Sequence, residues 1–414
     1  MVSVVVVGTL DTKGVEHRHL AEQIRRLGAR AILVDVGVGE PAVDADVDNL
    51  TVAAAAGTTV EELSARGDRG DAVDTMARGA GIVLRSLHDQ KRLDGVVALG
   101  GGGGTTLAGA AFAVLPVGVP KLIVSTVAAG DMRPHVHGQD ITFTYAVLDI
   151  AGLNPVTRSI VDNAAGAIVG MAGIAAARDD EPRGPGAGGR PMIAITSFGV
   201  TTHAVESARA AVETAGYEPL VFHAVGSGGE SLEALIRAGS LAGVLDLTTT
   251  ELADDLVGGV MSAGPSRLTA AADTATPQVV SVGALDIVNL GPLDRIAPEH
   301  RGRRLVAHNA QMTLMRTNTG EAAELGRRLA AKLNRGRGPT ALFLPLAGTS
   351  ALSTADGPLY DADADEALFD AIRTHLDDSV ALVELAVDVN DDRFANAMVE
   401  ELLSYLTFTP EETS

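Results

Sequence analysis

The chain has 414 residues, 46% of them hydrophobic and 21% charged, which supports two or three folded domains and excludes wholesale disorder. Its formal charge is −21 (32 Lys and Arg against 53 Asp and Glu), and with no basic run, no Trp, 8 Phe and 4 Tyr it argues against a nucleic-acid partner. The absence of cysteine removes disulfides, thiolate nucleophiles and zinc–thiolate sites.

No uncharged apolar run reaches the length of a membrane span, and Met1–Gly8 lacks the basic region of a signal peptide. A cytoplasmic protein that meets no membrane is therefore expected. Short β-branched runs alternate with longer amphipathic stretches, the pattern of an α/β fold with parallel sheets. In the first half, strands are predicted at Val2–Val7, Ala31–Val36, Gly95–Leu99 and Lys121–Thr126, with helices over Val15–Leu27, Asp71–Gln90 and Leu107–Leu115. A largely buried helix over Arg158–Ala177 closes this half.

The first strand ends in Gly8-Thr-Leu-Asp-Thr-Lys-Gly14. Strand 1 of a doubly wound sheet is central, so its loop opens on the ligand crevice. Gly8, Thr9, Asp11 and Thr12 are candidates for phosphate binding there. Lys is scarce, with Lys13 one of only four, so its compact ammonium suits a phosphate or a general acid. The bland alternative makes Asp11 and Thr12 helix caps.

Gly100, Gly101, Gly102, Gly103 and Gly104, followed by Thr105 and Thr106, stand between a strand and a helix. That order points free backbone N–H groups at an anion. No Lys follows the glycines, so this is not a Walker loop, and the spaced Rossmann fingerprint is absent too. A flexible glycine-rich turn is the alternative. Ser125 and Thr126, at the end of the next strand, should reach the same crevice, with Asp131 a few residues on. His135 and His137 form a His-x-His pair whose alternatives are a partial metal site and two solvent-facing side chains. Asp140–Asp149 reads as a segment packed near the site.

Residues 178–190, rich in charge, Pro and Gly, read as a linker between domains 1–177 and 191–414. The second half repeats the pattern: a strand and turn at Pro191–Gly199, a helix near Ala204–Ala215 and a strand at Pro219–Ala224. Leu93–Gly100 is answered by Leu241–Thr248, and Pro120–Ser125 by Pro277–Ser281. Either the halves are related or all such units look alike. Both alternatives predict two Rossmann-like doubly wound α/β subdomains, their parallel sheets facing an interdomain cleft. Gly226, Ser227 and Gly228 follow a strand as a second anion cradle lining the substrate cleft, beside Thr249 and Thr250. Glu251 reads either as an acid exposed to that cleft or as a charge favouring a helix dipole. His223 is placed at a strand end, and His308 can equally be structural. No Gly-x-Ser-x-Gly elbow or His-Glu-x-x-His motif occurs.

These residues resemble the Tm-one-like family, the ATP-binding domain of the tomato mosaic virus resistance protein. The matching stretches are Gly8–Gly14 with Glu16, Leu115–Lys121, Ser125-Thr126 with Ala129–Asp131, Asp140–Thr142 and Asp149–Asn154. They continue with Gly199–Thr202, Val221–Ala224, Thr248–Glu251, Gly283–Asp286, and His308-Asn309 with Thr313–Thr317. The resemblance spans nearly the whole chain. It implies two α/β subdomains, ATP as cofactor with magnesium beside its phosphates, association into homodimers or higher homo-oligomers, and a separate TIM-barrel protein as partner. The chain departs from the family in its unbroken glycine run, at His135 and His137, and at Asp388-Val-Asn-Asp391, where relatives carry His-Ile-Asn-Asp.

The expected function is an ATP-binding enzyme acting on a small carboxylate or carbonyl ligand. Lys13, Asp131, His223 and Glu251 are its expected catalytic groups, with no metal held by protein ligands alone. The alternatives are an ATP-independent C–C or acyl hydrolase or lyase, and a non-catalytic, nucleotide-regulated binding module.

Overall fold

A computed structural model describes residues 1–178 and 189–407. The chain divides into two compact units, Met1–Glu181 and Pro182–Ser414. The expected linker at 178–190 falls, except at its ends, outside the described residues.

The first unit runs β1 (Ser3–Gly8), α1 (Leu10–Arg26), β2 (Arg30–Asp35), α2 (Asn49–Ala55), α3 (Val60–Arg66) and α4 (Arg69–Asp89). It continues with β3 (Gly95–Gly100), α5 (Gly102–Phe112), β4 (Lys121–Ser125), α6 (Arg133–Val136), β5 (Ile141–Tyr145) and α7 (Pro155–Arg178). The five strands are parallel, in the order β2-β1-β3-β4-β5. Val4, Val5, Val6 and Val7 are all buried, because helices cover both faces of this central strand. Their side chains alternate: Val5 and Val7 pack with α2 to α5, while Val4 and Val6 pack with α1 and α7.

α1 and α5 therefore leave the sheet on opposite faces, and β1 and β3 flank the point where the chain's winding reverses. The segment Asp140–Asp149, expected beside the site, supplies the edge strand β5, and its end at Asp149 lies 3.9 Å from Lys13. α7 is long and apolar enough to cross a membrane by composition, yet Val161, Ala165, Ile168 and Ala172 on one of its faces are core residues of the sheet.

The second unit begins β6 (Met192–Ser197), α8 (Thr202–Thr214), β7 (Glu218–His223), α9 (Ser227–Arg237), β8 (Gly243–Thr248), α10 (Glu251–Val257), α11 (Ala270–Thr274) and β9 (Gln278–Gly283). A three-stranded antiparallel sheet follows, made of β10 (Ile287–Leu290), β11 (Leu305–Asn309) and β12 (Met312–Arg316). The unit closes with α12 (Thr319–Leu333), β13 (Thr340–Pro345), α13 (Ala362–His375), β14 (Ala381–Leu385) and α14 (Asp392–Thr407). Its parallel sheet has the order β14-β13-β9-β8-β6-β7. Counted from its own first strand that is 2-1-3-4-5-6, so the order of the first unit recurs with one strand added.

A buried cation organises this second sheet. Arg267, 1% exposed, holds both oxygens of Asp246 on β8 at 2.6 and 2.7 Å and Oε2 of Glu251 at 2.6 Å. Glu233 of α9 lies 3.6 Å away and accepts the N–H groups of Leu268, Thr269 and Ala270. Burying these acids is tolerable only while the guanidinium compensates them. We therefore expect Arg267→Met to destabilise this unit by about 3–5 kcal/mol in urea unfolding followed by circular dichroism. A loss below about 1 kcal/mol would mean that the network contributes little.

Candidate functional site

The five glycines do not form a loop ahead of a helix that starts at Leu107. The structure corrects that expectation: α5 already begins at Gly102, with Gly101 as its N-cap. Burial of Leu107, Ala108, Ala111 and Phe112 against the sheet carries the helix back through residues of poor propensity. A Cβ at Gly100 would stand 2.9 Å from Gly104 Cα, so strand and helix approach too closely there for any side chain. A Cβ at Gly102, by contrast, meets nothing within 4 Å. The N–H groups of Gly102, Gly103 and Gly104 have no acceptor inside the helix, and no side chain caps them.

The neighbouring hydroxyls position this turn. Thr105 Oγ1 donates to Gly101 O at 2.9 Å and lies 2.6 Å from Ser125 Oγ, with both side chains fully buried. Thr126 Oγ1 lies beside Gly101, 3.6 Å from where a Cβ would stand. Thr105 and Ser125 thus tie the first turn of α5 to the end of β4.

The bare turn opens on a cavity of about 600 Å³ at the C-terminal ends of β1 and β3. All five glycines line it, as do Gly8, Thr9, Asp11, Thr12 and Lys13. Its remaining wall is mostly aliphatic, with Val36, Val38, Leu63, Val73 and Leu107. Sequence reasoning missed Arg69, which also lines the cavity. Its guanidinium would lie 3.7 Å from a Cβ on Gly103. Nearby carboxylates are engaged: Asp71 pairs with Arg66 at 2.9 Å, and Asp68 caps the N–H groups of Gly70 and Asp71. In Asp68-Arg-Gly-Asp71 nothing local sets Arg69 apart from an ordinary charged helix start.

The β1 side is built from contacts distant in sequence. Asp35, at the end of β2, accepts the N–H groups of Leu10 and Gly37 at 3.0 and 2.8 Å, and burial pushes its pKa up. Asp11 accepts Gly39 N–H at 2.9 Å, and Thr9 and Thr12 share a 2.8 Å hydroxyl contact. The fully buried His17 lies over Gly8. Its Nδ1 donates to Lys13 O at 2.7 Å, and burial lowers the imidazole pKa.

The second unit differs from expectation. Glu251 is fully buried rather than open to a cleft: its Oε1 accepts the N–H groups of Gly226 and Gly229 at 2.7 and 3.0 Å, while Oε2 takes Arg267. The second glycine cradle does hold an anion, and that anion is the chain's own. Burial is the main force raising the Glu251 pKa, with Arg267 opposing it.

Thr249 and Thr250 are spent on the carbonyls of Ser281 and Ile287, both fully buried. Ser227 starts α9, its carbonyl accepting the Ser231 hydroxyl, and a Cβ on Gly228 would strike the His223 carbonyl at 1.8 Å. His223 itself is exposed at the end of the edge strand β7, edge-on to Phe198.

In the first unit Asp131 is exposed and clasped by Arg133, whose hydrogen bonds hold its pKa at about 2. Of the four expected catalytic groups, only Lys13 lines the cavity. His135 lies in α6 and His137 at its C-cap, and among the described residues no group of three or more metal-ligating side chains forms.

Comparison with known proteins divides the chain at the same place. Residues 2–177 match the N-terminal domain, and residues 190–406 the C-terminal domain, of an uncharacterised protein family, UPF0261. A UPF0261 protein of Clostridium tetani is 43% identical over 405 residues, covering 97% of this chain and 98% of its own length. One from Rhizobium meliloti is 41% identical, covering 96% and 98% respectively. The ToMV resistance protein Tm-1(GCR237) of Solanum lycopersicum is 36% identical over 98% of this chain, which spans 55% of that protein.

The packing of His17 on Gly8 is directly testable. A Cβ at Gly8 would meet His17 Nε2 at 2.0 Å, so Gly8→Ala should destabilise the first unit by about 1–3 kcal/mol in urea unfolding. Adding His17→Ala should recover part of that loss, because the two positions share one space.

Proposed function

The chain belongs to the UPF0261 family, and on that premise we propose that its first unit binds ATP, with the phosphates at the first turn of α5. One observation carries this reading: of two glycine cradles among the described residues, Glu251 fills one from within and the other opens on the cavity. Uncapped N–H groups and the positive end of the α5 dipole favour an anion at Gly102–Gly104. Arg69 adds a guanidinium suited to phosphate. The aliphatic wall suits the apolar faces of a base, and about 600 Å³ lies within the range of small-ligand sites.

Magnesium would have to be held largely by the phosphates. Asp11 and Asp68 are the acidic side chains lining the cavity, and a phosphate-bound magnesium ordinarily needs only one or two carboxylates beside waters. Bound there, the ion would neutralise phosphate charge.

ATP-dependent chemistry on a small carboxylate or carbonyl compound would use Lys13, the one expected catalytic group at the cavity. A second reading is a nucleotide-responsive binding module without turnover. It is favoured by the positions of Glu251, held inside the fold, and Asp131, paired on the surface. Substrate-dependent ADP release supports the first reading, and ATP binding without it the second.

Gly102→Asp tests the site itself. The open space at Gly102 accepts the side chain, and a carboxylate at a helix N-terminus should stabilise the fold by about 0.3–1 kcal/mol. The same charge should weaken ATP binding by more than about tenfold in calorimetry. Unchanged affinity in the variant, or no binding by folded wild type, would overturn the assignment.

A further inference from the structure

Lys13 stands where α1 departs from helical geometry, with φ −132° and ψ 29° inside a 17-residue helix. The break is supported from both sides, since His17 Nδ1 takes the Lys13 carbonyl and Gly8 leaves room for the His17 ring. From this kink the side chain lines the cavity, while its Nζ donates to the Ile150 carbonyl and lies 3.9 Å from Asp149. One turn further along α1, Glu16 Oε1 accepts the N–H of Gly152 at 2.5 Å. The cavity end of α1 thus holds the connection from β5 to α7 at two points. That connection places Val147 at φ +62°, a left-handed conformation disfavoured for a β-branched residue, and exposes Val147 and Leu148.

We propose that Lys13 is a shared ammonium: it ties the 149–152 loop to α1 when the cavity is empty, and a phosphoanion in the cavity draws it away and loosens that loop. The inference rests on the cavity being a phosphate seat. The balance of partners favours the exchange. Lys13 now holds one neutral carbonyl, and its ionic partner Asp149 is 76% exposed and therefore strongly screened. A phosphate beside the helix terminus offers a charge-assisted bond in a drier setting. Linkage makes the coupling reciprocal: a change that loosens the loop while leaving Lys13 in place must tighten the anion, by at most the factor with which the anion favours the loose loop.

Hydrogen exchange over residues 147–153 of the full chain, run beside calorimetry on the same sample with ATP or inorganic pyrophosphate, tests this directly. Saturating ligand should speed exchange there by about fivefold or more. Lys13→Met should show the fast rate without ligand and respond no further. Glu16→Gln, which weakens the other tie, should bind ATP several-fold more tightly. The wild-type arm needs no variant, so a misfolded substitution leaves the decision with it. Ligand binding with unchanged or slower exchange overturns the proposal, as does a folded Lys13→Met whose loop exchanges like wild type. Silent calorimetry with both anions overturns the phosphate seat itself, and this proposal with it.

Discussion

The site depends on how closely backbone can approach backbone where β3 enters α5. With a Cβ on Gly100 only 2.9 Å from Gly104 Cα, the helix could not start where it does. Glycine inside a helix costs about 1 kcal/mol relative to alanine, and α5 carries Gly102, Gly103, Gly104 and Gly109 within eleven residues. Burial of Leu107, Ala111 and Phe112 and the Thr105–Ser125 contact offset that cost. What remains is a helix terminus whose first N–H groups are screened by no side chain. The weak helix formers and the uncapped helix start are one feature.

The two units solve the same topological problem differently. Each parallel sheet winds outward from its first strand, so each has a reversal point between the first and third strands in chain order. In the second unit the turn after β6 is bonded to the end of β8 there, Thr201 Oγ1 lying 2.8 Å from Thr248 Oγ1. Thr248 to Glu251 are all fully buried. In the first unit Gly8 and Gly100 stand at the equivalent strand ends, and the reversal point is a cavity. A shared strand order therefore does not give a shared role. The side chains at the strand ends decide whether the crevice is filled by the protein or left for a ligand.

Much of the architecture was legible because it is written locally. Val4–Val7 and Gly95–Leu99 are buried runs bounded by turns, and each proved to be a central parallel strand within a residue or two of its expected ends. The Gly8–Lys13 and Gly100–Gly104 segments were legible as the ends of those strands, and they line one cavity, but the loops expected there are the first turns of α1 and α5. Less legible was whatever depends on distant partners. Glu251 looks like an exposed acid until Arg267 and Gly226 close around it. Lys13 meets a carbonyl 137 residues away, and Arg69 matters only because α4 packs against α5. The antiparallel insertion β10–β12 was missed as well, because His308-Asn-Ala-Gln311 mixes polar and apolar residues without a clear alternation.

Glu251 acts as a permanent internal ligand, and this has a thermodynamic corollary. A cradle occupied by its own chain gains nothing from dissolved anions, so the stability of Pro182–Ser414 should be indifferent to nucleotide concentration. The ligand proposed for the first unit would stabilise that unit by an amount that grows with the logarithm of its concentration. The two halves of one polypeptide would then melt by different rules, one set by covalent sequence alone and the other by the composition of the solution around it.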